Sequence, residues 1–157
     1  MIESAHFRQL FSYEHWANAR LIAFMQGLPP QYILPKILDI FSHILNAQTI
    51  WLLRARKENS DFEAWASFGL TECWARYMQG ITEWETFLSS LEEDEFYENI
   101  VYQNSKGETY QNNLIEIMTH LVNHSTYHRG QIIAYFQQQN IKGLPPTDFI
   151  VFLREMN

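Results

Sequence analysis

Residues 113–139, NLIEIMTHLVNHSTYHRGQIIAYFQQQ, are the most informative part of this sequence. With residues placed about 100° apart around a helix, one face collects most of the large apolar side chains. These residues are Leu114, Ile117, Met118, Leu121, Ile132 and Phe136. Asn113 precedes Glu116 by three positions, which is the spacing of a capping box at a helix N-terminus. The stretch therefore predicts a long amphipathic helix from Asn113 to about Gln139.

Three more segments upstream show the same helical periodicity. The first is expected from Ser4, as N-cap, to Gly27, the second from about Pro35 to Lys57, and the third for about 20 residues from Thr71, as N-cap. Residues 58–70 break the pattern and are expected to form a long connection. The sequence predicts an all-α fold, a four-helix bundle, in a single domain spanning residues 1–157.

Two shorter segments complete the expected fold. Residues 96–111, FYENIVYQNSKGETYQ, contain β-branched and aromatic residues on both sides of an Asn-Ser-Lys-Gly turn, which predicts a short β-hairpin before the fourth helix. Residues 147–155, TDFIVFLRE, follow two prolines and are expected to form a short apolar turn or helix.

Composition and charge exclude several classes of protein. The chain has 157 residues, 46% of them hydrophobic, and 11 basic against 18 acidic residues give a net charge of −7. Binding to nucleic acids or to anionic membranes requires a basic surface, and no basic stripe is visible. No apolar run reaches the roughly 18 residues of a transmembrane helix, and the N-terminus does not resemble a signal peptide. The lone Cys73 cannot form an internal disulfide, so we expect a cytoplasmic protein.

The histidines suggest a metal site. His120, His124 and His128 follow each other at intervals of four, and side chains four apart on a helix can share one cation. The helical wheel turns His124 and His128 towards the apolar face, whereas His120 lies at the polar border and is not expected to be a ligand. His43 lies at the edge of the apolar face of the second helix and is the candidate third ligand.

Three imidazoles leave at least one open coordination position, which is typical of catalytic metal sites. Zinc or nickel is favoured, and iron, manganese and copper are alternatives that the ligand set also accepts. The simpler alternative is that a histidine pair on a helix is structural, as we expect for His6 and His15. Asp39, four residues before His43, is a candidate partner of that histidine, although it projects towards the polar side.

The first helix places two polar residues on an otherwise apolar face. Glu14 and Asn18 either form hydrogen bonds between helices or line the metal cleft, and the sequence leaves both alternatives open. Arg129 is expected to pair with an acidic residue on a neighbouring helix. Tyr13, Glu14 and Ala17 are the residues that we expect to form a wall of the cleft.

Several segments resemble one known family. HLVNHSTYHRGQI (120–132) is similar to the histidine-rich fourth helix of the DinB/YfiT-like bundle family, the DNA-damage-induced family rather than the polymerase of the same name. Residues 10–21, 41–55 and 144–155 resemble it too, in the expected order. The resemblance implies an up-down-down-up bundle and a divalent metal held by three residues, which correspond to His43, His124 and His128.

The resemblance also implies a function. Members of the family include S-transferases and isomerases that depend on a low-molecular-weight thiol, so a metal-dependent transferase acting on a small-molecule substrate is expected. Hydrolysis at the same metal is an equally available chemistry, and the catalytic residues are unknown. The alternative is a noncatalytic metal-binding or stress-response module, which is supported by exposed-looking Trp65, Trp74 and Trp84 that can cover a dimer interface. The resemblance also implies a homodimer.

Overall fold

The computed structural model describes residues 2–156. Within them the chain forms four long helices, one β-hairpin and a short C-terminal helix. The elements are α1 (Ile2–Gln26), α2 (Pro35–Ala55), α3 (Leu70–Ser89), β1 (Asn99–Gln103), β2 (Thr109–Asn113), α4 (Leu114–Gln138) and α5 (Phe149–Met156), with short 3-10 helices at Pro30–Tyr32 and Asp94–Tyr97. The structure confirms the predicted all-α helical bundle with a hairpin before the fourth long helix.

The helix ends test the predicted caps. The capping box of α4 is confirmed: the Asn113 side chain accepts from the backbone N–H of Glu116 at 2.9 Å, and the Glu116 carboxylate accepts from the N–H of Asn113 at 3.1 Å. The prediction that Ser4 caps α1 is wrong, because the helix already begins at Ile2. The Ser4 hydroxyl instead donates to the Glu93 carboxylate at 2.6 Å.

The predicted cap of α3 is displaced by two residues. Gly69 is the N-cap, in extended conformation, and Thr71 lies inside the helix. The reason is packing: the side chain of Leu70 lies against the apolar core formed by α1, α2 and α4, so the helix begins at Leu70. No side-chain hydrogen bond caps the helix there.

Packing between helices brings the two histidine-bearing helices together. α4 packs against both α1 and α2, and α3 packs against both from another side. Two large apolar clusters fill most of the interior, one around Trp84 and Phe96 and the other around Phe41 and Phe136, and a smaller one lies around Tyr13 and Phe152. Trp84 is fully buried, so the expectation that it is exposed is wrong, whereas Trp65 and Trp74 are 52% and 38% exposed.

The hairpin extends the bundle near the end of α2. Its strands are antiparallel, with Val101 opposite Gln111, and Gly107 adopts a positive φ of 79° at the turn. Ile100 is buried, and the Tyr102 ring packs edge-on against Trp51 of α2 at 4.9 Å between ring centroids. This contact brings the hairpin turn close to α2.

None of the helices in residues 2–156 is long and apolar enough to span a bilayer.

A polar network lies inside the bundle. Arg129 of α4 donates to the Glu14 carboxylate at 2.8 Å and to the Asn18 side-chain oxygen at 2.9 Å, and Gln48 of α2 donates to Glu14 at 2.8 Å. Glu14 and Asn18 therefore form hydrogen bonds between helices, which decides between the two alternatives. The expected pairing of Arg129 with an acidic residue on a neighbouring helix is also observed.

Candidate metal centre

Three histidines from two helices meet at the α2–α4 interface. His43, His124 and His128 each offer one ring nitrogen, and these nitrogens all lie within 4.8 Å of one another. The Nε2 atoms of His43 and His124 are 3.0 Å apart. The centroid of the His43 ring lies 4.9 Å from that of each of the other two. In the described part of the chain these are the histidine, cysteine or carboxylate groups that come together closely enough to hold a metal ion.

The geometry follows from the helical spacing. His124 and His128 are separated by one turn of α4, so their rings lie next to each other on one side of the helix, edge to face, with centroids 4.5 Å apart. α2 crosses that side and presents His43 from its buried face. All three histidines lie on helices, and the apolar core beneath the site holds these two helices in place.

The loop between α2 and α3 orients His43. The Nδ1 of His43 lies 2.7 Å from the carbonyl oxygen of Ala64, and the indole of Trp65 stacks on the imidazole with centroids 3.7 Å apart and planes 2° from parallel. A carbonyl can only accept, so Nδ1 carries the proton and the Nε2 lone pair is directed to the other histidines.

Side chains of α2 hold this loop in place. The Asn46 amide donates to the carbonyl oxygen of Ala66 at 2.8 Å, and the backbone N–H of Phe68 donates to the Ser42 hydroxyl at 3.0 Å. The loop carbonyls are thereby fixed against the same helix that carries His43. Metal-binding histidines are commonly oriented by this kind of hydrogen bond to a carbonyl.

His128 has an equivalent support on α4. Its Nδ1 lies 2.7 Å from the side-chain oxygen of Gln131, whose amide donates to the Tyr127 hydroxyl at 3.2 Å. This bond leaves the Nε2 of His128 available as a ligand. The Nδ1 of His124, by contrast, is buried without a hydrogen-bond partner.

The surroundings of His43 and His124 favour their neutral forms. Burial, the largest cause, and repulsion from the neighbouring His128, His43 and His120 together lower the pKa of His124 to about 3. Burial is also the main cause that lowers the pKa of His43, against the opposing effect of its bond to Ala64. Neutral imidazole is the form that binds metals, so both residues are ready to do so near neutral pH.

The donor set fits a divalent metal ion. Nitrogen–zinc bonds of about 2.1 Å require ligand nitrogens about 3 to 4 Å apart, so the rings have to move by about 1 Å at most from their positions within 4.8 Å of one another. Nickel, iron and copper also accept imidazole. The three residues predicted from the sequence are therefore brought together in a geometry that could hold such an ion.

Two residues that the sequence places near the histidine cluster, His120 and Asp39, lie outside it. His120 is exposed, and its ring centroid lies 5.4 Å from that of His124 and 5.4 Å from that of Trp51, at the mouth of the site. Asp39 is only half-buried and makes no hydrogen bond to His43 among the described contacts. The expected role of Asp39 falls to the carbonyl of Ala64, which the sequence pattern did not indicate.

An open cleft leads to the cluster. It has a volume of about 480 Å³, and its wall includes His43 and His124 together with residues of α2, the α2–α3 loop and the hairpin turn. The prediction that α1 forms a wall is wrong. Tyr13 instead donates from its hydroxyl to the carbonyl oxygen of Thr147, Ala17 is fully buried, and Glu14 belongs to the buried ionic network.

The α2–α3 loop was the part of the site that sequence reasoning missed. Residues 58–70 show no periodicity, so the sequence predicts only a connection between two helices there. The available signal was the aromatic content of this segment, which has Phe68, packed against the core, and in addition Phe62 and Trp65. Both are exposed at the cleft side of the bundle, where an aromatic residue is useful for binding rather than for core packing.

Comparison with known proteins agrees with this structure. The model of the DinB family matches residues 1–147. The chain is also 26% identical to Protein DinB of Bacillus subtilis (strain 168), over an alignment that covers 92% of each chain. The protein belongs to the DinB family.

Proposed function

From this membership and the histidine cluster, we propose that the protein binds a divalent metal ion and uses it in a transfer reaction. The ligands are His43, His124 and His128, and the activated group is a low-molecular-weight thiol that is transferred to a small electrophilic molecule. The observation that carries the proposal is the convergence of the three ring nitrogens within 4.8 Å beside an open cleft.

The site has the features that this chemistry needs. A divalent metal held by three neutral imidazoles keeps a net positive charge and supplies Lewis-acid chemistry that lowers the pKa of a thiol or water. The protein side chains provide the rest. Ala64 and Gln131 fix the two imidazoles at their Nδ1 atoms, and the ring of Trp65 covers one face of His43.

Hydrolysis is the second candidate. Asp61 is the carboxylate that lines the cleft, and it can accept a proton from a water molecule that attacks a bound substrate. A thiol transfer does not need such a base when the thiol is already ionised. The two candidates therefore differ in their dependence on Asp61, and Asp61→Asn should slow only hydrolysis.

The noncatalytic alternative is disfavoured by the cleft. A structural metal site is closed by a fourth protein ligand, whereas His43 and His124 lie on the wall of a cavity of about 480 Å³. No fourth histidine, cysteine or carboxylate joins the cluster within residues 2–156. A small organic molecule thus has room beside the ligand nitrogens.

We further propose that the protein is a homodimer and acts in the cytoplasm. Trp74 and Met78 lie one turn apart on α3, 38% and 46% exposed, which gives a second copy an apolar surface to cover. Cys73 is a free, buried thiol, which suits a reducing compartment. Measurement of the molecular mass in solution tests the homodimer, and fractionation of cells tests the cytoplasmic location.

The function is tested with metal and substrate separately. Titration calorimetry of the metal-free protein with Zn²⁺ or Ni²⁺ should show one ion per chain, and the loaded protein should conjugate a small thiol to an activated aryl chloride. His43→Ala should lose the metal and the activity while circular dichroism stays helical, and the exposed His6→Ala serves as control. Full turnover by His43→Ala without bound metal contradicts the proposal.

A further inference from the structure

The cleft beside the histidines contains a positive charge that no acidic side chain neutralises. Arg54 lines the cleft, and it forms no ion pair with any carboxylate in residues 2–156. Asp61 lines the same cleft, yet it forms no ion pair with Arg54. Arg56, two residues along the chain, does pair with Glu83 at 3.6 Å. Arg54 is therefore a cation in the wall of the cleft without a carboxylate partner among the described residues.

The guanidinium of Arg54 is held in a fixed position. Its central carbon lies 4.5 Å from the ring centroid of Trp51 and 4.7 Å from that of Tyr102, and its Nη2 donates to the carbonyl oxygen of Gln103 at 3.1 Å. Its Nε is buried without a hydrogen-bond partner. Burial lowers the pKa of Arg54, the mark of a cation that has lost part of its hydration. A partly desolvated cation is stabilised by an anion that pairs with the accessible N–H groups of its guanidinium.

Arg54 and the histidines lie at opposite ends of one stripe. His43, Ala47, Ile50 and Arg54 follow the helical repeat along α2, and all four line the cleft. Eleven residues at about 1.5 Å each separate His43 from Arg54 by about 16 Å along the helix axis. The aromatic ring of Trp51 lies on the wall between them. An extended ligand can therefore contact Arg54 at one end while its other end approaches the histidines, whereas a short acid reaches only the Arg54 end.

We propose that this cleft selects small molecules with a carboxylate group and an apolar or aromatic body. The carboxylate pairs with Arg54, and the body lies against Trp51 and Phe62 with its reactive end at the histidines. A carboxylate is favoured over a phosphate because a single arginine matches one planar, singly charged group, and Asp61 repels a second negative charge. The inference rests on the proposed function, which makes this cleft the substrate site.

Matched acid and amide pairs test the inference. Benzoate, phenylacetate and hippurate are compared with benzamide, phenylacetamide and hippuramide by fluorescence titration of the tryptophans, with and without Zn²⁺. At least one acid should bind wild-type protein about tenfold more tightly than its amide, because a hydrogen-bonded charge pair is lost in the amide. The preference should decrease as the ionic strength rises.

Variants separate this inference from the metal proposal. Arg54→Met should abolish the preference for the acid and still bind one Zn²⁺ per chain, which also shows that it is folded. Arg54→Lys should keep part of the preference, since it retains the charge but not the planar fork. Arg56→Met, with the same change of net charge, should behave as wild type. His43→Ala should lose Zn²⁺ and keep the preference for the acid.

Three results overturn the inference. The first is that wild-type protein binds none of the acids more tightly than its amide at millimolar concentrations. The second is that Arg54→Met retains the preference. The third is that phenyl phosphate binds more tightly than benzoate and this difference depends on Arg54. If wild-type protein did not bind Zn²⁺ at all, that result would contradict only the proposal of a metal site.

Discussion

The guanidinium of Arg129 lies 2.8 Å from the carboxylate of Glu14, and the two side chains are 2% and 0% exposed. This ion pair joins α4 to α1, and Arg129 directly follows the candidate ligand His128. Because the pair fixes the rotation of α4 about its axis, it also fixes the direction in which the two histidines of α4 point. The ionic network and the histidine cluster are thus on different sides of the same helical turn.

Breaking this pair should destabilise the fold strongly. Glu14→Gln or Arg129→Met leaves one buried charge without its partner, and the expected loss in the free energy of unfolding is about 3–5 kcal/mol. The double variant should lose less than the sum of the two single variants, because neither charge then remains. Urea unfolding followed by circular dichroism measures all three values.

An exposed pair provides the control for that measurement. Glu72 and Arg76 on α3 are 2.9 Å apart, with side chains 52% and 33% exposed. Glu72→Gln removes the same charge in water, and the expected loss is only about 0.3–0.5 kcal/mol. Equal losses for Glu14→Gln and Glu72→Gln would show that the buried network does not stabilise the bundle.

The sequence predicts much of the fold because helical periodicity is a local property. The wheel turned His124, His128 and His43 towards the interior, and the structure brings these three together. The partner of Arg129 was predicted only as an acidic residue on a neighbouring helix, since the pairing with Glu14 depends on how the helices pack. The buried position of Trp84 likewise depends on packing, because its ring fits against Phe11 of α1.

The supports of the histidines could not be predicted. The Ala64 carbonyl belongs to the backbone, which every residue has, and its position depends on hydrogen bonds that Asn46 and Ser42 make to neighbouring parts of the loop. Stacking of Trp65 on His43 follows from that same placement. An aperiodic loop is determined by such contacts with the rest of the fold, and no local pattern records them.

Metal stoichiometry should distinguish the ligands from their neighbour. His128→Ala and His43→Ala each remove one of the three ring nitrogens of the cluster, so neither variant should retain an ion through gel filtration. His120→Ala should keep one ion per chain, because His120 lies outside the cluster, at the mouth of the site. Elemental analysis of the purified variants measures the difference. Loss of metal in His120→Ala equal to that in His128→Ala would show that the ligand set is wrong.

The hydrogen bond from His128 to Gln131 should tune metal affinity. Gln131→Leu removes the acceptor 2.7 Å from Nδ1 and frees the imidazole to rotate. Loss of such an outer partner typically weakens metal binding about 10- to 100-fold, which competition with a chelating dye can measure. Gln138→Leu, an exposed position on the same helix, is the matched control. An unchanged affinity in Gln131→Leu would mean that this bond does not orient the ligand.

His15 should make the metal-free protein sensitive to acid. Burial is the main cause that lowers its pKa from 6.5, and nearby Glu14 and Glu85 raise it by less. Its Nε2 is buried without a hydrogen-bond partner, and its ring lies edge-on to Phe11 at 6.0 Å between centroids. The folded state therefore disfavours the protonated ring that the unfolded chain accepts.

The stability that His15 contributes is consequently complete above pH 6.5 and is lost as the pH falls through the lower pKa of the folded state. His15→Phe keeps an aromatic ring beside Phe11 but cannot take up a proton, so its free energy of unfolding should fall less between about pH 7 and pH 5. Urea unfolding in the presence of a chelator measures both proteins, and the exposed His6→Phe should follow the wild-type curve. His43 and His124 also have lowered pKa values, so some acid sensitivity should remain in His15→Phe. If His15→Phe lost stability as steeply as wild-type protein, protonation of His15 would not be opposed by folding.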